Sequence, residues 1–136
     1  MPTPYAYIAG PLFDRAQRWY NTQLSNVVSG AGFETYLPQD ASGEVDLAVA
    51  DNRAAVFLDN VKALRGAAFV VANLNGPVVD EGTAWECGFA WALGKKVLGV
   101  REARGGPPAN LMLDRSAVVL PDTAALRELL ARPFSF

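Results

Sequence analysis

The spacing of short apolar runs constrains this chain more than any other feature. Tyr5 to Gly10, Phe33 to Leu37, Ala67 to Leu74, Val97 to Val100 and Ser116 to Leu120 have strand length and are too short for ordinary helices. Longer stretches alternate with them. Asp14 to Ser29 carries Leu24, Val27 and Val28 on one stripe, with Trp19 and Tyr20 nearby. Asp46 to Arg65 carries Val56, Phe57, Val61 and Leu64, Thr83 to Leu93 is apolar on nearly every face, and Thr123 to Leu130 closes the series. Punctuation falls where it should: Gly10-Pro11, Gly30 with Gly32, Pro38, Gly66, Gly94-Lys95-Lys96 and Pro121. Alternating strands and helices predict a parallel, doubly wound α/β sheet of five strands with right-handed crossovers.

The 136 residues suffice for one domain with a real core, and 51% hydrophobic residues make that domain globular. No repeat, low-complexity segment or linker interrupts it. Gln39 to Val45 reads as a polar loop. Arg101 to Asp114 is loop-rich and carries Gly105-Gly106-Pro107-Pro108. The tail, Pro133-Phe134-Ser135-Phe136, places aromatic rings at a terminus, where packing on a neighbouring surface is expected.

Composition excludes several kinds of chemistry. The net charge is −2 and no Lys/Arg cluster occurs, which argues against a nucleic-acid polymer or an anionic membrane as partner. The chain contains one cysteine, Cys87, and so has no disulfide framework or Cys-rich zinc site; the residue reads as a small buried side chain. It contains no histidine, which removes Ser-His-Asp and Cys-His machinery and imidazole metal ligation. Catalysis would have to run on carboxylates, tyrosine, amides or bound water. No apolar run reaches membrane length and no leader pattern opens the chain, so a cytoplasmic location is expected.

The stretch from Asn73 to Ala90 concentrates what remains. Three acids, Asp80, Glu81 and Glu86, fall within seven residues, and Glu86 lies in the apolar third helix. One reading is structural: Thr83-x-x-Glu86 fits a capping box, with the acid favoured by the helix dipole. The other is chemical, because burying an acid is costly unless it is paired or used. Asp80 precedes the helix at the carboxyl end of a strand, the edge where open α/β sheets bind ligands. The same edge collects Gly10 to Phe13 and Pro38 to Asp40. None of these loops has a GxGxxG or GxxxxGK[ST] phosphate cradle.

Two blocks carry a family resemblance. Tyr7-Ile8-Ala9-Gly10-Pro11-Leu12-Phe13, with Asp80-Glu81-Gly82-Thr83-Ala84-Trp85-Glu86-Cys87-Gly88-Phe89-Ala90, resembles the nucleoside 2-deoxyribosyltransferases. Leu37 to Asp40 and Asn110 to Met112 match shorter segments. The resemblance implies a flavodoxin-like, Rossmann-like sheet and a Glu86 carboxylate that attacks C1′ of a 2′-deoxynucleoside. It implies that Asp80 orients sugar and nucleophile and that Tyr7 hydrogen-bonds Glu86. Phe13 and Gln39 would lie in the nucleobase pocket and Asn60 near the base, with Gly10 and Gly82 among the substrate-binding residues. Asn110 would reach the 5′-hydroxyl in a neighbouring subunit's site, which implies a homo-oligomer. The implied reaction moves deoxyribose between free bases in ping-pong fashion, without metal or cofactor.

The physics is that of retaining glycosidases: a carboxylate beside C1′ stabilises oxocarbenium-like charge and then forms an ester. Burial would raise the Glu86 pKa and the helix N-terminus lower it, with Thr83 and nearby amides expected to hold the anion. The leaving base must gain a proton from an acid or ordered water. The chain departs from the family pattern at Ala68, Asn75, Cys87 and Phe89. Outside the family context Tyr7 reads as a core aromatic, Phe13 as a hydrophobic staple, and Gln39, Asn60 and Asn110 as ordinary amides. Two alternatives stand beside transfer. One is N-glycosidase action on nucleosides or their 5′-monophosphates, though the first loop, Asp14-Arg15 without serine, disfavours phosphate. The other is a non-catalytic nucleoside-binding module.

Overall fold

The computed structural model describes residues 3–41, 43, 45–102 and 108–136. Five parallel strands form one sheet: β1 (Tyr5–Ala9), β2 (Glu34–Tyr36), β3 (Phe69–Asn73), β4 (Val97–Val100) and β5 (Val118–Leu120), in the order β2-β1-β3-β4-β5. Both faces are covered, so the central strands are buried along their length, as parallel strands require. Side chains alternate between the faces. Ala6, Ile8, Phe69 and Val71 pack against α1 (Arg15–Gly30) and α6 (Thr123–Ala131). Tyr7, Ala9, Val70 and Ala72 point the other way, towards α3 (Ala50–Gly66), α4 (Glu81–Ala92) and α5 (Leu111–Ser116). Strand periodicity therefore places Tyr7 on the α4 side of the sheet.

The expected strands and the four expected helices all form, with shifted ends. The segment 39–45, read as a loop, begins instead inside a short helix, α2 (Pro38–Ala41). The next helix starts at Ala50 and not at Asp46. The Asp46 side chain accepts from the Ala48 amide at 2.9 Å, a local turn that competes with helix, and Asn52 ties back to the Asp46 carbonyl at 3.0 Å. The loop expected over 101–114 contains the start of α5, capped by Asn110, whose Oδ1 accepts from the Met112 amide at 2.9 Å. A six-residue helix is too short to show a helical period. Gly105, Gly106 and Pro107 of that loop lie outside the described residues.

α4 ends as its sequence suggests. Gly94 adopts φ +78°, the left-handed conformation glycine takes most easily, and the Lys95 amide reaches back to the Ala90 carbonyl at 3.0 Å. The aromatic tail packs on the α1 side, with Phe134 against Phe69 at 5.0 Å and Phe136 against Phe33 at 5.9 Å between ring centroids. Among the described residues no helix is long and apolar enough to cross a membrane.

Candidate active site

Strand order reverses between β1 and β3, and at such a switch point the two following loops diverge and leave a crevice. A cleft of about 660 Å³ opens there. Its walls are Gly10 to Phe13 after β1, Pro38 of α2, the face of α3 that carries Val56, Phe57 and Asn60, and the start of α4 with Asp80, Gly82 and Glu86. The lining is apolar with a few convergent polar groups, the usual make-up of a small-molecule site.

Glu86 is half-buried in the second turn of α4, and the fully buried Tyr7 hydroxyl donates to its Oε2. Tyr7 is backed by Tyr36, stacked at 5.5 Å between centroids. Burial pushes the Glu86 pKa up to about 7; the Tyr7 hydrogen bond opposes the rise and the nearby Asp80 charge adds to it. Burial and the Glu86 charge hold the Tyr7 phenol well above its ordinary value, so it stays a proton donor. A carboxyl group with a raised pKa in a cleft is a candidate functional group.

Asp80 caps α4. Its Oδ2 accepts from the Thr83 amide at 2.9 Å and from the Thr83 hydroxyl at 2.8 Å. This corrects two expectations. Thr83-x-x-Glu86 is not a capping box, because Asp80 occupies the cap and leaves Glu86 beyond the first turn. The Thr83 amide and hydroxyl hold Asp80, not Glu86, so the carboxyl left to the cleft ionises late. The structural reading of Glu86 thereby loses its support.

The other sequence-predicted residues divide. Gly10, Phe13, Asn60 and Gly82 line the cleft with the acids. Asn60 Oδ1 is buried and, among the described residues, has no hydrogen-bond partner. Gln39 does not line the cleft. Its amide is turned to α1, with Nε2 donating to the Arg18 carbonyl and Thr22 Oγ1, each at 3.1 Å. Asn110 also lies away from Glu86, beside a second apolar cleft of about 920 Å³ across α4. Cys87 is buried and its thiol is pushed up to about 12, which fits an inert packing role. Trp85 and Phe57 also form the wall, a role their sequence pattern does not reveal. They stand on neighbouring helices with ring centroids 5.7 Å apart, and half of each ring is exposed on apolar stripes that look like core.

A parallel α/β sheet with a tyrosine-bonded carboxyl group in the cleft at its switch point defines the class of protein: a doubly wound α/β domain with a carboxyl-lined small-molecule cleft. The family model described as Nucleoside 2-deoxyribosyltransferase matches residues 6–112, and the chain belongs to that family. No curated protein matches the sequence significantly. Among solved structures, a 2-deoxyribosyltransferase of Bacillus psychrosaccharolyticus superposes with a TM-score of 0.82 at 24% identity, covering 97% of this chain and 93% of its own. The 2-desoxiribosyltransferase of Leishmania mexicana gives 0.72 at 22% identity, covering 96% and 99%. A CMP N-glycosidase of Clostridium botulinum is more distant, at 0.58 and 18% identity, covering 91% and 96%. These likenesses establish the shared fold.

Proposed function

We propose that the chain is a nucleoside 2-deoxyribosyltransferase with Glu86 as nucleophile. The observation that carries this is the Glu86 carboxyl group, half-buried, hydrogen-bonded by Tyr7 and set in the wall of an apolar cleft beside Asp80. A 2′-deoxynucleoside enters with C1′ against Glu86. The carboxylate forms the C1′–O bond as the N-glycosidic bond breaks, and that electron pair leaves on the base nitrogen. The base takes a proton from water or from an acid in the cleft. Asp80, its Oδ2 fixed by Thr83, offers Oδ1 to the sugar. Asn60 Oδ1 accepts an N–H of the base, and Phe13 and Trp85 supply apolar surface to it. A second free base then attacks C1′, giving up its N–H proton to water or to a carboxylate in the cleft, as the C1′–O bond breaks and its electron pair returns to the Glu86 carboxylate. The Tyr7 hydroxyl stabilises the anion at both ends of this cycle.

Incubation with a deoxynucleoside and a second free base, followed by chromatography, tests the assignment. Base exchange supports it. Free base with free deoxyribose would make the chain an N-glycosidase using the same ester, and no reaction would make it a binding module. Glu86→Ala should remove either activity with the fold retained, and mass spectrometry of quenched wild-type protein should find deoxyribose on the Glu86 peptide. The chain acts as a homo-oligomer, with Asn110 serving a neighbour's cleft.

A further inference from the structure

Two buried amides have no part in this chemistry. Asn21 of α1 is 1% exposed, on the same stripe as Leu24 and Val28, and Asn73 at the end of β3 is 2% exposed. Polar groups so deeply buried are costly unless satisfied, and these satisfy one another. Asn73 Nδ2 donates to Asn21 Oδ1 at 3.0 Å. Asn21 Nδ2 donates to the Pro11 carbonyl at 2.9 Å and, at 3.3 Å, to Gln39 Oε1. On the far side Asn73 Oδ1 accepts from the Asn75 amide at 3.1 Å, and Asn75 Oδ1 accepts from the Glu102 amide at 2.7 Å. One chain of amides thus ties together the segments that follow β1, β2, β3 and β4.

The backbone after β1 lies directly on this clasp: a Cβ at Gly10 would come 2.2 Å from Asn21 Oδ1. What Asn21 holds is also specific. The Pro11 carbonyl begins the Pro11-Leu12-Phe13 wall of the Glu86 cleft, and Gln39 adjoins Pro38, which lines the same cleft. The other side-chain ties on that wall, Arg18 to the Leu12 carbonyl and Gln17 Oε1 to the Phe13 amide, are exposed to solvent. Tyr7, Asp80 and Glu86 take no part in the clasp.

We infer that Asn21 is a positioning residue, whose amide sets the Pro11–Phe13 wall and Pro38 and so governs how tightly the cleft grips its substrate. The substrate part of this inference rests on the proposed nucleoside reading. Substrate grip and bond cleavage then separate: losing the clasp raises KM and leaves kcat close to wild type. Asn21→Ala removes the whole amide. Asn73→Ala, at a residue that does not line the cleft, removes the donor that anchors the Asn21 amide to β3, and it carries the test if the Asn21 variant does not fold.

The experiment combines base-exchange kinetics with amide hydrogen exchange read by mass spectrometry on the full chain. The expected result is a rise in KM of about tenfold, kcat within about twofold and an unchanged acid limb of the pH profile. Peptides spanning 10–13 and 38–41 should exchange faster while the α4 peptide does not. Two results would overturn the inference: a lower Tm with KM and local exchange unchanged, or exchange that rises uniformly. If the wild type transfers and hydrolyses nothing, the nucleoside reading is what has failed. Hydrogen exchange alone then decides whether Asn21 positions the wall.

Discussion

Glu86 is the residue on which the electrostatics concentrate, and its raised pKa has consequences for both activity and stability. Burial favours the protonated form, while nucleophilic attack needs the anion. Transfer should therefore rise with pH through an acid limb near 7, measured as kcat/KM against pH. Tyr7→Phe deletes the hydrogen bond that lowers the Glu86 pKa. It should move that limb to higher pH and reduce kcat at neutral pH about tenfold, the usual scale for a hydrogen bond to a charged group. The stability effect has a definite sign. Below about 4.5, folded and unfolded chains both carry the proton and Glu86 costs nothing. Between about 4.5 and 7 the unfolded chain ionises first, so stability falls as pH rises, by about 3 kcal/mol in all. Glu86→Gln should accordingly raise Tm at pH 8 and leave it nearly unchanged at pH 4. Equal shifts at both pH values would mean that Glu86 is not held protonated by the fold. The sequence disclosed this residue because an acid in an apolar helix is conspicuous. It did not disclose Asn21 or the orientation of Gln39, since an amide looks the same whether it faces a ligand or another amide.

At the level of elements, α4 shows how local rules compete. The pattern Thr83-x-x-Glu86 satisfies a capping box on paper, yet Asp80 is the better cap because it bonds both the amide and the hydroxyl of Thr83. Thr83→Val keeps the shape and loses one of those two bonds. It should cost about 1 kcal/mol in chemical denaturation while lowering kcat/KM several-fold, because Asp80 gains rotamer freedom at the sugar. Stability loss with unchanged kinetics would reduce Asp80 to a helix cap. The central strands β1, β3 and β4 were legible because both faces of the sheet there are covered and their residues are nearly all apolar, while β2 and β5 were read from the punctuation around them. The shortest helices, α2 and α5, were not, since four and six residues cannot display a period. The start of α3 was obscured by the turn at Asp46. Its apolar residues also mislead: within the helix only Ala63 and Leu64 are buried, while Val56 and Phe57 face the cleft. An apolar stripe reports apolar surroundings and does not distinguish a core from a substrate pocket.

The whole molecule divides its labour between the two faces of the sheet. The α1–α6 face carries the phenylalanine cluster and none of the groups proposed as catalytic. Truncation after Arg132 removes Phe134 and Phe136 and should cost about 2–3 kcal/mol, with kcat/KM of the folded fraction unchanged. The α3–α4–α5 face carries the cleft, and there one expected participant is out of place within a single chain. Asn110 caps α5 and borders the second apolar cleft, separated from Glu86 by α4. If Asn110 serves a site at all, the site belongs to another copy, and that geometry makes the oligomer testable through activity. Glu86→Ala and Asn110→Ala should each be impaired alone. In a co-refolded equal mixture, a site that draws Glu86 from one chain and Asn110 from its neighbour is intact in about a quarter of cases. Activity should then recover to about that fraction of wild type, and size-exclusion chromatography should show both variants in one species. A mixture no more active than the average of its parts would confine each cleft to its own chain and leave Asn110 as a helix cap.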